Sequence, residues 1–397
     1  MPNINHIILS WARETAELSV KNAAHKLQIK DGKTASAKDK LLDYENGTVA
    51  PSRSMLLRMS KVYRRPILTF YLDKPPLIGD RGEDFRTLPD YFIGEDNVYV
   101  DVLIRNIRAR QNLVRETLID EDEELKIEFI GRNTVNQGIQ HITQTLREVL
   151  NLDLDEFRAQ PRYSDAFKLL RYRAEEAGVF VLLQGNLGSY HTNISVKTFR
   201  GFALSDDIAP FIIINDRDAK SAWSFTLLHE MVHLALGQTG VSGSGAYAEK
   251  QIEKFCNDVA SEILLPSVEF KTFQPSSLDF DIIKEEISNY AFSKKISSSQ
   301  IAYRLYQRAV IDKALWIQLR NFYRKRWEDQ RKKEKLEYKK REGGPSYYVL
   351  RRHELGVLVR LVQRFTYSGA LSTTRAGMLL NMKPLKVHRL FEVSQPL

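Results

Sequence analysis

The stretch SFTLLHEMVHLALG, residues 224–237, carries two histidines four positions apart, with a glutamate directly after the first. On an α-helix such residues lie on one face a turn apart, so His229 and His233 can present imidazole nitrogens to one metal ion. Glu230 projects in a neighbouring direction, where a carboxylate can act as general base toward a water molecule. The spacing favours a metal site over two hydrogen-bonded histidines on an ordinary amphipathic helix.

The flanks of this stretch also predict a helix. Asn215 or Asp216 can cap its start, and Gly237 can close its end. Apolar residues such as Leu227 and Leu234 fall on related faces of the same helix. The motif therefore sits on the kind of element that its chemistry requires.

A third metal ligand is needed, because a catalytic zinc usually takes three protein ligands and keeps one position open. The stretch EKQIEKFCNDVASEILLP, residues 249–266, has helical spacing and ends at a proline. We prefer Glu253 as the ligand. Glu249 lies in the first turn of this helix, and Glu262 lies about 180° round it from Glu253.

Composition limits the class of protein. The 397 residues predict about two to four domains, and 43% hydrophobic with 27% charged residues is typical of globular chains. No apolar run reaches the roughly 18 residues of a membrane span, and the N-terminus lacks a signal-peptide pattern, so we expect a cytoplasmic protein. The net charge of +9 permits contact with nucleic acid or an acidic partner without requiring either.

The single cysteine, Cys256, cannot form an internal disulfide, which agrees with a reducing compartment. A nucleophile or metal ligand is the functional alternative. We expect a small buried residue instead, since no second sulfur is present.

The chain divides into four predicted segments in a mostly helical α+β fold. Strand-like runs VFVLLQG, RGFAL and FIIIND precede the motif, and the last of them is expected to form a sheet edge that captures an extended substrate. Residues 320–342 form a highly charged run, which is either a solvated helix face, the favoured reading, or a nucleic-acid arm. The segments are a domain of short helices (1–72), a linker and helical connector (73–163), an α+β unit with the motif (164–275) and a helical C-terminal region (276–397).

The motif and its downstream helix resemble the ImmA/IrrE family of metallopeptidases, whose pattern is HExxH followed by E-x-x-A-N-x-F-A-x-x-L-L-x-P. The resemblance covers about residues 164–397 and is strongest at 211–266. Cys256 stands where alanine is common, and Val259 where phenylalanine is common. The residues that carry it are HEMVHLALG, Glu253, Cys256, Asn257, Val259, Ala260, Ile263, Leu264 and Pro266.

This resemblance implies a zincin-like, minimal gluzincin core. In it His229, His233 and Glu253 would bind Zn²⁺, with Mn²⁺ as the alternative ion, and Glu230 would act as base. Family members typically cleave a helix-turn-helix repressor in stress response or mobile-element control. The implied function is a zinc endopeptidase acting on such a repressor or an antitoxin-like regulator.

The N-terminal segment resembles lambda-repressor-like helix-turn-helix proteins through SVKNAAHKL, LLDYENGTVAPS and LLRMSKVYRRP. Tyr44 replaces the usual tryptophan, and the loop QIKDGKTAS is several residues longer than in those repressors. If the domain binds DNA, Ser36, Lys38 and Lys40 would make the groove or phosphate contacts. The alternative is a structural or protein-docking domain.

Two further expectations concern the loop GNLGSYHTNIS. Tyr190 and His191 could stabilise an oxyanion, although loop residues of these types more often satisfy local hydrogen bonds.

The competing function for the whole chain is a DNA-binding regulator whose peptidase-like domain senses a signal or docks a partner with little turnover.

Overall fold

The computed structural model describes residues 4–16, 18–32, 35–65, 67–72, 95–238, 240–241, 247–340 and 346–393. Contacts divide these residues into two compact units, with the boundary after Arg105. The finer limits at residues 163 and 275 stay a prediction. Among the described residues, no helix combines the length and apolar character that a membrane crossing requires.

The first unit consists of short helices, each started by a polar side chain. The side chains of Asn5, Ser19, Ser36 and Ser52 accept hydrogen bonds from the first turns that follow them, which offsets the unpaired N–H groups of a helix start. A short 3-10 helix follows the fourth helix. The elements are α1 (His6–Glu14), α2 (Val20–Lys26), α3 (Ala37–Glu45), α4 (Arg53–Tyr63) and the 3-10 helix (Ile67–Tyr71).

One buried ion pair joins α1 to α3 inside this unit. The Arg13 guanidinium donates to both carboxylate oxygens of Glu45, at 2.7 and 3.0 Å. Around it lies an apolar core that includes Leu9, Leu41 and Met59. The short helices expected for this segment are confirmed, whereas its helix-turn-helix interpretation stays a prediction.

The second unit is helical around a small sheet. Helix α5 begins before the unit boundary and lies in the segment predicted to be a helical connector. The helices are α5 (Glu95–Asp120), α6 (Gly138–Val149), α7 (Leu154–Ala159), α8 (Tyr163–Glu176), α9 (Lys220–Ala235), α10 (Tyr247–Leu264), α11 (Ser267–Phe270), α12 (Phe280–Ser293), α13 (Ser298–Gln307), α14 (Lys313–Lys340), α15 (Tyr347–Leu355), α16 (Val357–Ser368), α17 (Thr373–Leu379) and α18 (Val387–Glu392).

The sheet has strands β1 (Phe180–Leu183), β2 (Gly201–Leu204), β3 (Phe211–Ile214) and β4 (Gly240–Val241) in the order β1-β3-β2-β4. Strand β3 runs parallel to β1 and antiparallel to β2, while β4 pairs antiparallel with β2. The expectation that FIIIND forms the sheet edge is wrong. Both sides of β3 are already hydrogen-bonded to neighbouring strands, so it offers no free ladder to a substrate.

Helix α9 lies against β2 and β3 and is flanked by α8 and α10. Trp223 on α9 meets Phe167 on α8 edge to face, with ring centroids 5.2 Å apart. Alternate residues of the strands, such as Ala203 and Ile212, enter the same core. The predicted mostly helical α+β class with a small sheet is therefore confirmed, and the zincin-like arrangement stays a prediction.

Candidate metal centre

The start of α9 differs from the expectation. The helix begins at Lys220 after Ala219, and no side chain caps it, so neither Asn215 nor Asp216 has the predicted capping role. Asn215 is buried and its side-chain amide donates to the carbonyls of Ile194 (3.3 Å) and Phe199 (3.1 Å). It lies directly after β3, five residues before α9 begins at Lys220.

The end of α9 follows the prediction and also positions a histidine. Gly237 has φ +69°, and its N–H donates to the Leu234 carbonyl, while the Gln238 N–H reaches back to the His233 carbonyl. This is the hydrogen-bond pattern of a helix closed by a left-handed glycine. The side-chain oxygen of Gln238 then lies 3.3 Å from His233 Nδ1, which directs Nε2 of that ring toward His229.

Three potential metal ligands converge between α9 and α10. The Nε2 atoms of His229 and His233 are 3.1 Å apart. The two carboxylate oxygens of Glu253 lie 3.3 Å from His229 Nε2 and 3.2 Å from His233 Nε2. Ligands about 2.05 Å from a tetrahedral zinc are separated by about 3.3 Å, so the three donors fit one such ion.

Of the two rival glutamates, Glu262 does not join this cluster. The Glu262 carboxylate accepts hydrogen bonds from the Ser267 N–H and hydroxyl and from the Gln140 side chain. It therefore caps the start of α11. The side chain of Glu249 lies outside the described residues.

Burial and charge prepare the site for a cation. His229 and His233 are buried, and the Glu253 side chain is 25% exposed. Burial raises the pKa of Glu253, but its hydrogen bonds with the two histidines outweigh this and lower the pKa to about 2. Burial lowers the pKa of His233, but the contacts with Cys256 and Glu253 have the larger effect and raise that pKa well above its usual value. The carboxylate is thus ionised at neutral pH.

Cys256 is fully buried, as predicted, with Sγ 3.9 Å from His233 Nδ1. Burial raises the pKa of its thiol. Its sulfur lies at Nδ1 of His233, while Nε2 of that ring faces the cluster, so Cys256 packs beside the three candidate ligands and is not one of them.

Glu230 is fully buried on the side of α9 that faces β2. A Cβ atom at Gly201 would lie 2.9 Å from Glu230 Oε1 and 2.6 Å from Thr226 Cγ2. Gly201 thus provides the space that the Glu230 side chain occupies. Gly201 is not among the residues predicted from the sequence, although a glycine within the strand pattern RGFAL is a common sign of a close approach.

The remaining residues predicted for this site are Tyr190 and His191. His191 is exposed on a 3-10 turn, Tyr190–Thr192, and its backbone N–H donates to the Ser189 hydroxyl. The Tyr190 side chain lies outside the described residues. An oxyanion role for either residue stays a prediction.

The predicted DNA contacts lie at the start of α3. Ser36 forms a capping box with Asp39, its hydroxyl donating to that carboxylate at 2.7 Å. Lys40 Nζ donates to the Lys30 carbonyl at 2.8 Å, and Lys38 is exposed. Two of the three side chains therefore stabilise the helix start and its preceding loop, and DNA binding stays a prediction.

A helix with two histidine ligands, a glutamate ligand from the next helix and a buried glutamate beside the first histidine is the arrangement of a metallopeptidase site. Residues 177–306 match the family model described as IrrE N-terminal-like domain, which belongs to a peptidase family. This segment runs from the residues before β1 into α13 and contains the whole cluster. The match supports a metallopeptidase of the IrrE kind. No curated protein and no solved structure matched the chain.

Proposed function

We propose that this protein is a zinc-dependent endopeptidase that cleaves a helix-turn-helix repressor or an antitoxin-like regulator in stress response or mobile-element control. The observation that carries the proposal is the cluster of His229, His233 and Glu253, with donor separations of 3.1 to 3.3 Å. It lies inside the segment that matches a peptidase family.

The donor set favours zinc over manganese. Two imidazole nitrogens and one carboxylate suit Zn²⁺, whereas Mn²⁺ prefers a shell of oxygen ligands. When bound, zinc would polarise the scissile carbonyl and acidify a water molecule. Gln238 would keep the His233 ring in the orientation that ligation needs, because its side-chain oxygen lies at the opposite ring nitrogen.

Glu230 is the proposed general base. Its carboxylate would take a proton from the attacking water and pass it to the leaving amine nitrogen when the peptide bond breaks. It sits next to the ligand His229 in sequence but outside the ligand cluster, so it can carry the proton without occupying a ligand position. Its full burial keeps bulk water from exchanging that proton.

Metal content of the purified protein tests the site directly. We expect about one zinc per chain in the wild type and much less in His229→Ala and Glu253→Ala, because each variant loses one of three ligands. The matched control Glu262→Gln should keep its zinc, since Glu262 caps α11 instead. A wild type that takes up no zinc even when zinc is supplied would contradict the proposal.

The substrate class needs a separate experiment. Glu230→Gln should keep zinc but lose cleavage, and should therefore hold its substrate. We would capture proteins bound to this variant, identify them by mass spectrometry, and incubate each candidate with the wild type. Cleavage of a helix-turn-helix protein by the wild type, and not by Glu230→Gln, is the expected outcome. Equal cleavage by both proteins would remove Glu230 from its proposed role.

The competing function is a DNA-binding regulator with a peptidase-like docking domain. Its support is the exposed Lys38 in the first turn of the capped helix α3. Under this function, Glu230→Gln would leave the phenotype unchanged, and charge reversal at Lys38 and Lys40 would weaken DNA binding and flatten its salt dependence. Gel-shift affinities that are unaltered across several salt concentrations would exclude these contacts.

A further inference from the structure

Helix α14 packs against the protein over only part of its length. It spans 28 residues, Lys313–Lys340. Near its start, Leu319 and Tyr323 are buried, and the Tyr323 hydroxyl donates to the Lys284 carbonyl of α12 at 2.9 Å. Beyond Tyr323, no described side chain of this helix is buried. The second half of α14 is therefore open to solvent on the second unit.

The cations of α14 concentrate on one face. At 100° per residue, residues 320, 324, 325, 331 and 332 fall within a sector of about 140°, roughly opposite the buried Leu319 and Tyr323. Helical periodicity puts positions 335 and 339 in the same sector. The acid in this sector is Glu328, while the other acids of the stretch lie outside it. The described cations of this basic face are Arg320, Arg324, Lys325, Arg331 and Lys332.

This stretch holds most of the excess charge of the chain. Residues 320–340 contain ten lysines and arginines and four acids, a surplus of six within a chain whose net charge is +9. A solvated helix face without a ligand would more commonly mix the two signs on each side. Separation of the cations onto the outward side is instead the electrostatic pattern of a surface that meets a polyanion.

Two tryptophans hold guanidinium groups along this face. The Arg320 guanidinium lies 5.0 Å from the centroid of the Trp316 ring, and that of Arg331 lies 5.5 Å from the Trp327 ring. Such contacts restrict flexible side chains and lower the entropy that binding would cost.

We propose that the basic face of α14 binds the phosphate backbone of duplex DNA. From position 320 to position 332 the helix rises about 18 Å, about half a turn of B-form DNA. The B-form major groove, about 12 Å wide, admits an α-helix, whereas the major groove of duplex RNA is deep and narrow. This binding does not depend on the proposed peptidase activity.

A membrane surface fits the helix less well. Helices that lie on membranes need a continuous apolar face beside the basic one. Here the apolar side of the first half is packed in the protein, and the described part beyond Tyr323 offers only Trp327 and the exposed Leu336 as large apolar groups. Duplex DNA is therefore the partner that the charges and the apolar content favour together.

The test is binding of the full chain to a fluorescein-labelled duplex of about 30 base pairs with arbitrary sequence, long enough to cover the helix. Fluorescence anisotropy is measured at several potassium chloride concentrations. The test variant carries Arg324→Gln, Lys325→Gln, Arg331→Gln and Lys332→Gln. The matched control carries four Lys→Gln changes at exposed lysines elsewhere, so that the two proteins have equal net charge. The control lysines are Lys126, Lys197, Lys271 and Lys383.

If all four cations contact phosphates, the test variant should reduce the slope of log affinity against log salt by about 3.6, and should bind at least about tenfold more weakly at 0.1 M salt. The control should retain the wild-type slope. Circular dichroism must show equal helix content in all three proteins. A third variant, Lys38→Gln with Lys40→Gln, separates any contribution of α3.

Three results would overturn the proposal. Equal weakening of the test and control variants would show that net charge alone governs binding, and an unchanged slope in the test variant would place the contacts elsewhere. Sedimentation with vesicles of phosphatidylcholine and phosphatidylserine decides the membrane case. Vesicle binding that the test variant loses, without DNA binding by the wild type, would replace DNA with a lipid surface.

Discussion

The contact between Gly201 and Glu230 leads to a prediction that separates the proposed base from the metal site. In Gly201→Ala, the new methyl group would lie 2.9 Å from Glu230 Oε1 and 2.6 Å from Thr226 Cγ2. Ordinary carbon contacts are about 3.5 Å or longer, so the glutamate must move by about 0.6 Å and the threonine methyl by about 0.9 Å. His229, His233 and Glu253 lie outside this contact and keep their arrangement.

The expected consequences differ for catalysis and for metal binding. A displacement of about 1 Å at a reacting group costs about a hundredfold in rate, so the shift of about 0.6 Å at Glu230 should cost on the order of tenfold. Overpacking by one methyl costs about 1 to 3 kcal/mol of stability. Zinc content should stay near that of the wild type. The assays are elemental analysis, thermal unfolding by circular dichroism, and cleavage of the substrate captured with Glu230→Gln.

A matched control separates lost stability from the displaced base. Ala203→Gly lies two residues along β2, in the same core, and should cost about 1 kcal/mol or more without adding an atom near Glu230. It should therefore retain cleavage below its melting temperature. If Gly201→Ala cleaves at the wild-type rate while folded and loaded with zinc, the position of Glu230 does not limit the reaction.

Three further predictions concern stability. Glu45→Ala should destabilise the first unit by about 3 to 5 kcal/mol in thermal unfolding, because it removes the buried partner of the Arg13 charge. The control Glu14→Ala should change the stability little, because the Glu14 side chain is 67% exposed. Burial raises the pKa of Glu262, but hydrogen bonds from Ser267 have the larger effect, and the net pKa is lowered. The ionised Glu262 should therefore stabilise the fold fully above the usual glutamate pKa. This stabilisation should be lost as the pH falls through the lowered pKa. Melting temperatures of wild type and Glu262→Gln should therefore converge on acidification, and a constant difference would contradict this. Removal of zinc with a chelator should lower the melting temperature of the wild type, and of His229→Ala much less, since a ligand that binds only the folded state stabilises it.

Local geometry made several features predictable. His229 and His233 lie on the same face of α9 because they are four residues apart on a helix. Helix α9 ends at Gly237 because glycine readily adopts a positive φ. The preference for Glu253 over Glu262 rested on their angular separation on one helix, which local geometry also determines. The strands VFVLLQG, RGFAL and FIIIND were identifiable because they are short, apolar and bounded by turns.

Other features depend on contacts between residues distant in sequence. The order of strands placed β3 between β1 and β2, which contradicted its expected position at the edge. The Asn215 side chain donates to carbonyls of the segment between β1 and β2 instead of capping α9, since its position after β3 decides what it can reach. The spacing of residues along the chain predicts neither the strand order nor the hydrogen-bond partners of Asn215.

The sequence by itself determined that the two histidines share one face of a helix with the glutamate beside them, and that a second helix carries Glu253. Backbone periodicity sets the direction of each side chain on such a helix. Only the tertiary structure brought Glu253 on α10 within 3.3 Å of both imidazoles on α9. It also placed Gly201 against Glu230 and turned the basic face of α14 outward. These relations arise from the packing of separate elements, whose distances and orientations depend on the whole core and not on the local chain.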